Sequence, residues 1–282
     1  LLADRLATCG VEVHRGVRVD RLEPVAGGGF RVGRSGGPLW EAGRVVMCSG
    51  GVSVPKLGAD DSGIRLVTAL GHRATPLYPG LVALESPDPL VRRLQGVKVW
   101  ARVEAEPGRT VVADTDDLLF AKYGVSGFTI LNLSAVLVRH LREQGPLRLS
   151  VSLLPEMTAE QVSQMRKERW ERHPHRSLAM TLAGLVHAKV ARALLEKVGL
   201  DPEQRAGGTG KRERWGLAQV LTAWEIEVTG PRDFEFAEVT IGGVRTDEVD
   251  PYTLESYIVP GLYLAGEMLD VHALMVAGPP VA

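Results

Sequence analysis

The 282-residue sequence predicts an α/β chain in which one sheet unit, built from both ends, is interrupted by a long insertion. Three observations carry this. Leu262-Tyr263-Leu264-Ala265 is a near-continuous apolar run, as in a strand buried in a parallel sheet, and it stops at Gly266-Glu267. Arg44-Val45-Val46-Met47-Cys48 reads as a second buried strand and also stops at a glycine pair, Gly50-Gly51. Between them, Gln95 to Glu106 alternates apolar and polar residues like a half-buried antiparallel strand, and Thr158-x-x-Gln161 opens a helical stretch with a capping box. The expected boundaries are 1–72 with 236–282 for the interrupted unit, 73–154 with 225–235 for a β-rich insertion, and 155–224 for a helical subdomain.

The N-terminal part reads as a helix over 2–9 closed by Gly10, then strands at Val11–His14 and Val17–Leu22. Gly27-Gly28-Gly29 is a hairpin turn into Phe30-Arg31-Val32. Residues 64–70 form a helix closed by Gly71, and His72, where the helix gives way to a strand, is assigned a structural role. Strands are expected at Thr110–Ala113 and Leu118–Tyr123, then a loop at Tyr123–Phe128 and an apolar helix to about 141. A polar helix runs from Thr158 to about Arg172, a helix pair covers Leu178–Leu185 and Lys189–Val198, and Glu225–Val228 returns to the sheet. Val239-Thr240-Ile241 is a short strand ending at Gly242-Gly243, and Pro260-Gly261 is a turn.

Composition excludes several classes. Apolar residues make up 45% and charged residues 24%, which is ordinary for a globular chain. A net charge of −1 offers no electrostatic reason for nucleic acid or an anionic membrane as partner. The apolar run Ile130–Val138 is broken by Asn132 and Ser134 and is too short to span a bilayer. No signal-peptide pattern is visible, and Cys9 and Cys48, without metal spacing, read as free, buried thiols of a cytoplasmic protein. His173-Pro174-His175 lacks a third ligand, so no metal is expected. Gly207-Gly208-Thr209-Gly210-Lys211 lacks the spacing of a phosphate loop and reads as a flexible loop. The expected substrate is a small molecule.

A glycine and a carboxylate at the C-terminal end of a buried strand mark the place where open α/β sheets take ligands. Glycines 58 and 63, in Pro55-Lys56-Leu57-Gly58 through Ser62-Gly63, let a loop wrap a ligand. Glycines 124 and 127 around Ser126 leave amides at a helix start, next to Tyr123.

These motifs resemble the HI0933-like flavoproteins, also called the BaiN-type FAD-dependent oxidoreductases. The resemblance is carried by T-x-G-G-V, E-V-D-P-x-T-x-E-S, V-P-G-L-Y-x-A-G-E and L-D-V in order from Thr240 to Val271, and by Pro55 to His72. It implies a Rossmann-like, two-dinucleotide-binding-type FAD domain, here partial, and an oxidoreductase whose flavin exchanges hydride, with NAD(P)H as a candidate donor. It implies that Gly266-Glu267 lies against ribitol, that the backbone of Val19 meets adenine, and that Gly50, Gly51, Gly58, Gly63, Gly242, Gly243 and Asp270 border the cofactor. Tyr123, Ser126 and Gly127 become substrate-pocket candidates. Departures remain: Ala59-Asp60-Asp61-Ser62 replaces S-T-G-D, and Lys122 stands where the family has the histidine suited to donate a proton, so no catalytic residue is assigned. The chain also lacks the family's G-x-G-x-x-G unit, and residues after Val271 do not read D-G-x-T-G-G-Y-N. Neither end reads as a domain boundary. The sequence therefore suggests weak FAD retention, with a non-catalytic remnant or half of a split flavoprotein as the alternative.

Overall fold

A computed structural model describes residues 1–271. In chain order come α1 (Leu2–Thr8), β1 (Arg21–Pro24), β2 (Phe30–Gly33), β3 (Leu39–Ala42), β4 (Val45–Met47), α2 (Ser62–Ala69), β5 (Tyr78–Gly80) and β6 (Leu84–Glu85). Then follow α3 (Pro89–Arg93), β7 (Lys98–Ala105), β8 (Val112–Ala121), β9 (Gly124–Ser126), α4 (Phe128–Glu143) and β10 (Leu147–Ser152). Next are α5 (Ala159–Arg172), α6 (Leu178–Thr181), α7 (Ala188–Lys197) and α8 (Lys211–Thr222). The chain continues through β11 (Trp224–Val228), β12 (Gly230–Pro231), β13 (Val239–Ile241) and β14 (Leu262–Leu264). These elements fall into two units: 1–52 with 59–77 and 242–271, and 53–58 with 78–241. The reading of residues beyond Val271 lies outside the described residues.

In the first unit β1, β2 and β3 form an antiparallel meander, and β4 pairs in parallel with β14. Leu22, Phe30, Ile64, Val67, Leu262, Leu264 and Met268 fill its core. The strand expected at Val11–His14 does not form: Val11 and Val13 are exposed, so their alternation has no covered face, and of the strand expected at Val17–Leu22 only Arg21 and Leu22 are in a strand, β1. Cys9 and Cys48 are free, but both are exposed, not buried. Cys9 follows a helix with no buried residue, and Cys48 lies just past the end of β4. β4 itself is less buried than expected, because β14 is its only described neighbour and Val46 is 62% exposed.

His72 is structural, as the sequence suggests. Its ring is buried between Glu248 (Nδ1 to Oε2, 3.2 Å) and Ser256 (Nε2 to Oγ, 2.9 Å). Ser256 Oγ already accepts the N–H groups of Ile258 (3.0 Å) and Val259 (2.8 Å), so its own proton goes to Nε2 and the His72 Nδ1–H donates to Glu248.

The second unit is built on a seven-stranded sheet in the order β11-β10-β7-β8-β9-β6-β12. Its two edge strands, β11 and β12, are separated in sequence by Thr229 alone, whose N–H donates to Glu85 O at 2.9 Å. One run of chain therefore carries the sheet from one edge to the other and closes it as a barrel, leaving no long free edge. Trp224 is fully buried and stacks on Phe120 at 5.3 Å between ring centroids. α4 covers the sheet with Ile130, Leu133, Leu137, Val138 and Leu141, one face at helical spacing. α5 to α8 contribute Val162, Trp170, Leu178, Leu194 and Leu221 to this same core.

Several local expectations change here. Residues 110–123 hold one strand, β8, rather than two, because Thr115, Asp116 and Asp117 pair with β7 and Asp117 is also ion-paired with Lys98. Half of the Tyr123–Phe128 loop is strand β9, held between β6 and β8. The first helix of the 178–198 pair is only α6, and the glycine stretch at 207 leads through a short 3-10 turn into α8. The capping box at Thr158 and Gln161 forms as expected.

α5 also buries a cation. Arg166 has no exposed surface, and none of its three guanidinium nitrogens has a hydrogen-bond partner; it stacks over Trp170 at 4.8 Å. Burial, with a smaller contribution from Arg169, pushes its pKa down to about 9. Replacing a buried charge by an apolar side chain of similar size stabilises by about 1–4 kcal/mol. Arg166→Met should accordingly raise the urea midpoint of the second unit; a lower midpoint would show that the Trp170 contact outweighs desolvation.

Candidate functional site

β4 and β14 run side by side, with Leu262 opposite Val45 and Leu264 opposite Met47. The Ala265 N–H continues the ladder to Met47 O at 3.0 Å. Both strands therefore end at the same edge, and Ser49-Gly50-Gly51 emerges beside Gly266-Glu267. α2 closes in behind: a Cβ on Gly63 would lie 1.9 Å from Ser49 Oγ, so only glycine allows this approach. Ser49 Oγ lies 3.9 Å from Met268 Sδ.

The Gly242-Gly243 turn is bound to the same edge. Val244 N–H donates to Met268 O and Asp270 N–H to Val244 O, both at 2.8 Å. Thr75 joins the pieces: its hydroxyl donates to Asp270 Oδ2 at 2.9 Å and accepts the Gly243 N–H at 3.1 Å. The sequence alone does not single out Thr75, since a lone threonine after His72 carries no motif. The structure thus brings Gly50, Gly51, Gly63, Gly242, Gly243, Gly266, Glu267 and Asp270 to one end of one parallel strand pair.

These glycines are not equivalent. At Gly63, Gly242 and Gly243 the space a side chain would take is filled by the protein itself: by Ser49, by Pro76 O at 2.1 Å, and by Met268 O at 2.5 Å. At Gly50 and Gly266 nothing lies within 4 Å. A ligand therefore has room at 50 and 266, whereas 63, 242 and 243 permit close packing of the edge.

Val19 is half-buried in irregular chain next to Arg18, whose guanidinium reaches Asp60 Oδ2 at 2.7 Å. Hydrogen bonds from the side chain and N–H of Ser62, reinforced by Arg18, pull the Asp60 carboxyl down to about 2. Asp61 pairs with Arg65 at 3.2 Å. Both carboxylates that depart from the family pattern are thus matched by cations.

The remaining candidates belong to the second unit. Gly58 follows a turn whose Lys56 is ion-paired with Glu235. Tyr123 lies under the Arg232 guanidinium, 4.4 Å from its ring centroid, and Ser126 sits in β9 opposite Leu119. Gly127 precedes α4 with φ 92°, and a Cβ there would lie 2.3 Å from Asp117 O. Among the described residues no group of three or more His, Cys, Asp or Glu is placed to hold a metal, and no helix is long and apolar enough to cross a membrane.

The family described as the HI0933-like protein barrel and H2TH domain matches residues 78–239, which take in the closed sheet and the helices α5 to α8. The chain belongs to the HI0933-like family. It is 33% identical over 275 residues to a 3-dehydro-bile acid delta(4,6)-reductase of Clostridium scindens, covering 97% of this chain and 67% of that protein. It is 32% identical over 231 residues to the ribosomal RNA dihydrouridine synthase of Escherichia coli, covering 81% of this chain and 54% of that protein. The enzyme of that name from Haemophilus influenzae is 27% identical over 234 residues, 82% of this chain and 55% of its own. The chain thus spans between about half and two thirds of these relatives. The HI0933-like proteins are flavin oxidoreductases, and the edge formed by β4 and β14 is compatible with a flavin: open backbone at Gly50 and Gly266, with the carboxylates of Glu267 and Asp270 beside it.

Proposed function

We propose that this HI0933-like chain supplies part of an FAD site and serves the reduction of a carbon–carbon double bond conjugated to a carbonyl. The observation that carries it is the convergence of Gly50, Gly266, Glu267 and Asp270 on one end of the β4–β14 pair, the position at which open α/β sheets take cofactors. Bound there, FAD would supply hydride. Glu267 would accept hydrogen bonds from the ribitol hydroxyls, the open space at Gly50 and Gly266 would leave room for the cofactor, and the segment at Val19 would meet the adenine. Thr75 fixes Asp270 and Gly243 so that the edge keeps its shape. The reaction class is supported by the relatives' names, since a delta(4,6)-reductase and a dihydrouridine synthase both saturate such a double bond. One name points to a bile acid and two to a base in RNA. NAD(P)H is the proposed electron donor.

Titration of the full chain with FAD, FMN and riboflavin, followed by flavin fluorescence, tests this. FAD should bind with saturation and more tightly than FMN, because only FAD carries adenine. A hydrogen bond to a charged group contributes about 1.5–3 kcal/mol, so Glu267→Ala should weaken FAD by roughly 10- to 100-fold. Indistinguishable binding of FAD and FMN, or an unaffected Glu267→Ala, would overturn the assignment.

A further inference from the structure

The whole-chain charge of −1 averages over a strong asymmetry. Between 155 and 224 there are twelve Lys and Arg against eight Asp and Glu, set against an acidic remainder. Four of those eight acids are already engaged: Glu168 with Arg172, Glu171 with Lys167, Glu196 with Arg93 and Glu203 with Arg192. Arg176, Arg205, Lys211 and Arg212 are exposed, and none forms an ion pair among the described residues.

The fold gathers these cations. The turn His173–Arg176 and the segment Arg205–Gly208 are tied together by Ala206 N–H to Arg176 O and Gly207 N–H to Pro174 O, both at 3.0 Å, and by a bridge between Ser177 and Arg205. Gly207 lies so close that a Cβ would be 2.9 Å from Pro174 Cβ. This segment runs directly into α8, which begins at Lys211 and Arg212. Trp215, four and three residues further on, shares their helix face and is 36% exposed. Arg214 Nε is buried without an acceptor. The one opposing carboxylate in this turn of α8 is Glu213, folded back toward Gly210.

Unpaired cations spread over two adjoining segments suit a chain of phosphates better than a single anion, and an aromatic side chain among them suits stacking by an unpaired base. We propose that the His173–Arg176 turn, the Arg205–Gly208 segment and the first turn of α8 form an RNA-docking surface, so that the reducible base of the proposed reaction is part of an RNA chain. The second clause rests on the flavin-reductase reading; the docking itself does not.

Fluorescence anisotropy of a labelled 20-nucleotide single-stranded RNA, with the full chain between 50 and 200 mM KCl, tests the docking. Each phosphate neutralised on a single strand contributes about −0.7 to the slope of log K against log salt. Replacing both Arg205→Gln and Arg212→Gln should flatten that slope by about 1.4 and weaken binding by roughly tenfold or more at the lower salt. Trp215→Ala should weaken it by about 5- to 100-fold with the slope unchanged, as loss of a stacked base does. Arg31→Gln, in the other unit, should change neither quantity. Salt-independent binding, variants that match the wild type, or equal affinity for DNA of the same sequence or for polyglutamate would overturn the proposal. FAD titration of the same variants separates the two readings: lost RNA binding with FAD binding retained is the expected signature, and loss of both would place these residues in the fold rather than at a surface.

Discussion

Glu248→Ala is expected to loosen the first unit by about 1–3 kcal/mol, the usual effect of leaving buried donors without their acceptor. The Glu248 side chain is 7% exposed. Its two oxygens accept from the Arg73 N–H at 2.8 Å, the Arg73 guanidinium at 2.6 Å and the His72 ring at 3.2 Å. Without them the buried His72 Nδ1–H loses its acceptor, and an unsatisfied buried donor alone costs about 1–3 kcal/mol. Arg73 is mostly solvated and rehydrates, so the loss falls on His72 and the backbone. Burial alone would raise the Glu248 carboxyl; the Arg73 N–H, the Arg73 guanidinium and His72 outweigh it and hold it below the usual range. The folded pKa is the lower one, so this stabilisation is complete above the ordinary glutamate value of about 4.3 and disappears as pH falls through the folded value. Glu248→Gln should therefore remove part of the acid sensitivity of the first unit. Hydrogen exchange resolved by segment checks both variants: residues 242–271 should exchange faster, and 97–151 should not change. Equal acceleration in both segments would mean that the network supports more than its own unit.

What could be read from the sequence was local. The capping box at Thr158, the turn at Gly261, the alternation of β7 and the apolar β14 each depend on residues within a few positions of one another, and each formed. The structural role of His72 was legible from its place at a helix end. Closure of the barrel was not, because it depends on β11 and β12 lying at opposite edges of a sheet whose order is set by pairing across the whole insertion. The same non-local pairing carries β8 through Asp116 and Asp117, which look like a break when β7 is out of view. Val11 to Val17 failed in the opposite sense: the alternation is clear, but no described strand covers it. At the candidate site the glycines and carboxylates were legible as motifs. Which glycines face open space and which face the protein was not, since that depends on Ser49, Thr75-Pro76 and Met268 arriving from three separate segments.

That division of the glycines yields the second large effect. Gly243→Ala should weaken flavin binding by more than about 100-fold, whereas Gly266→Ala should weaken it by less than about tenfold. Gly243 has φ 144°, and an added Cβ would lie 2.5 Å from Met268 O, 2.9 Å from Leu269 C and 3.1 Å from Asp270 N. All three are backbone atoms, held by the two hydrogen bonds between Val244 and the Met268–Asp270 segment, so no side chain can swing aside. Strain of about 1–3 kcal/mol, with one or two hydrogen bonds lost at about 1 kcal/mol each, displaces the segment that carries Glu267 and Asp270. A loss of about 3 kcal/mol in site geometry corresponds to more than 100-fold in affinity. Gly266 has φ 80° but no atom within 4 Å of its missing side chain, so alanine there adds only the left-handed cost of about 1–2 kcal/mol. FAD titration of the two variants, with hydrogen exchange of 242–271 as the structural readout, decides between them. If Gly266→Ala proves as damaging as Gly243→Ala, the flavin contacts the backbone at 266 more closely than the edge geometry implies; if Gly243→Ala retains FAD, the cofactor does not depend on this edge.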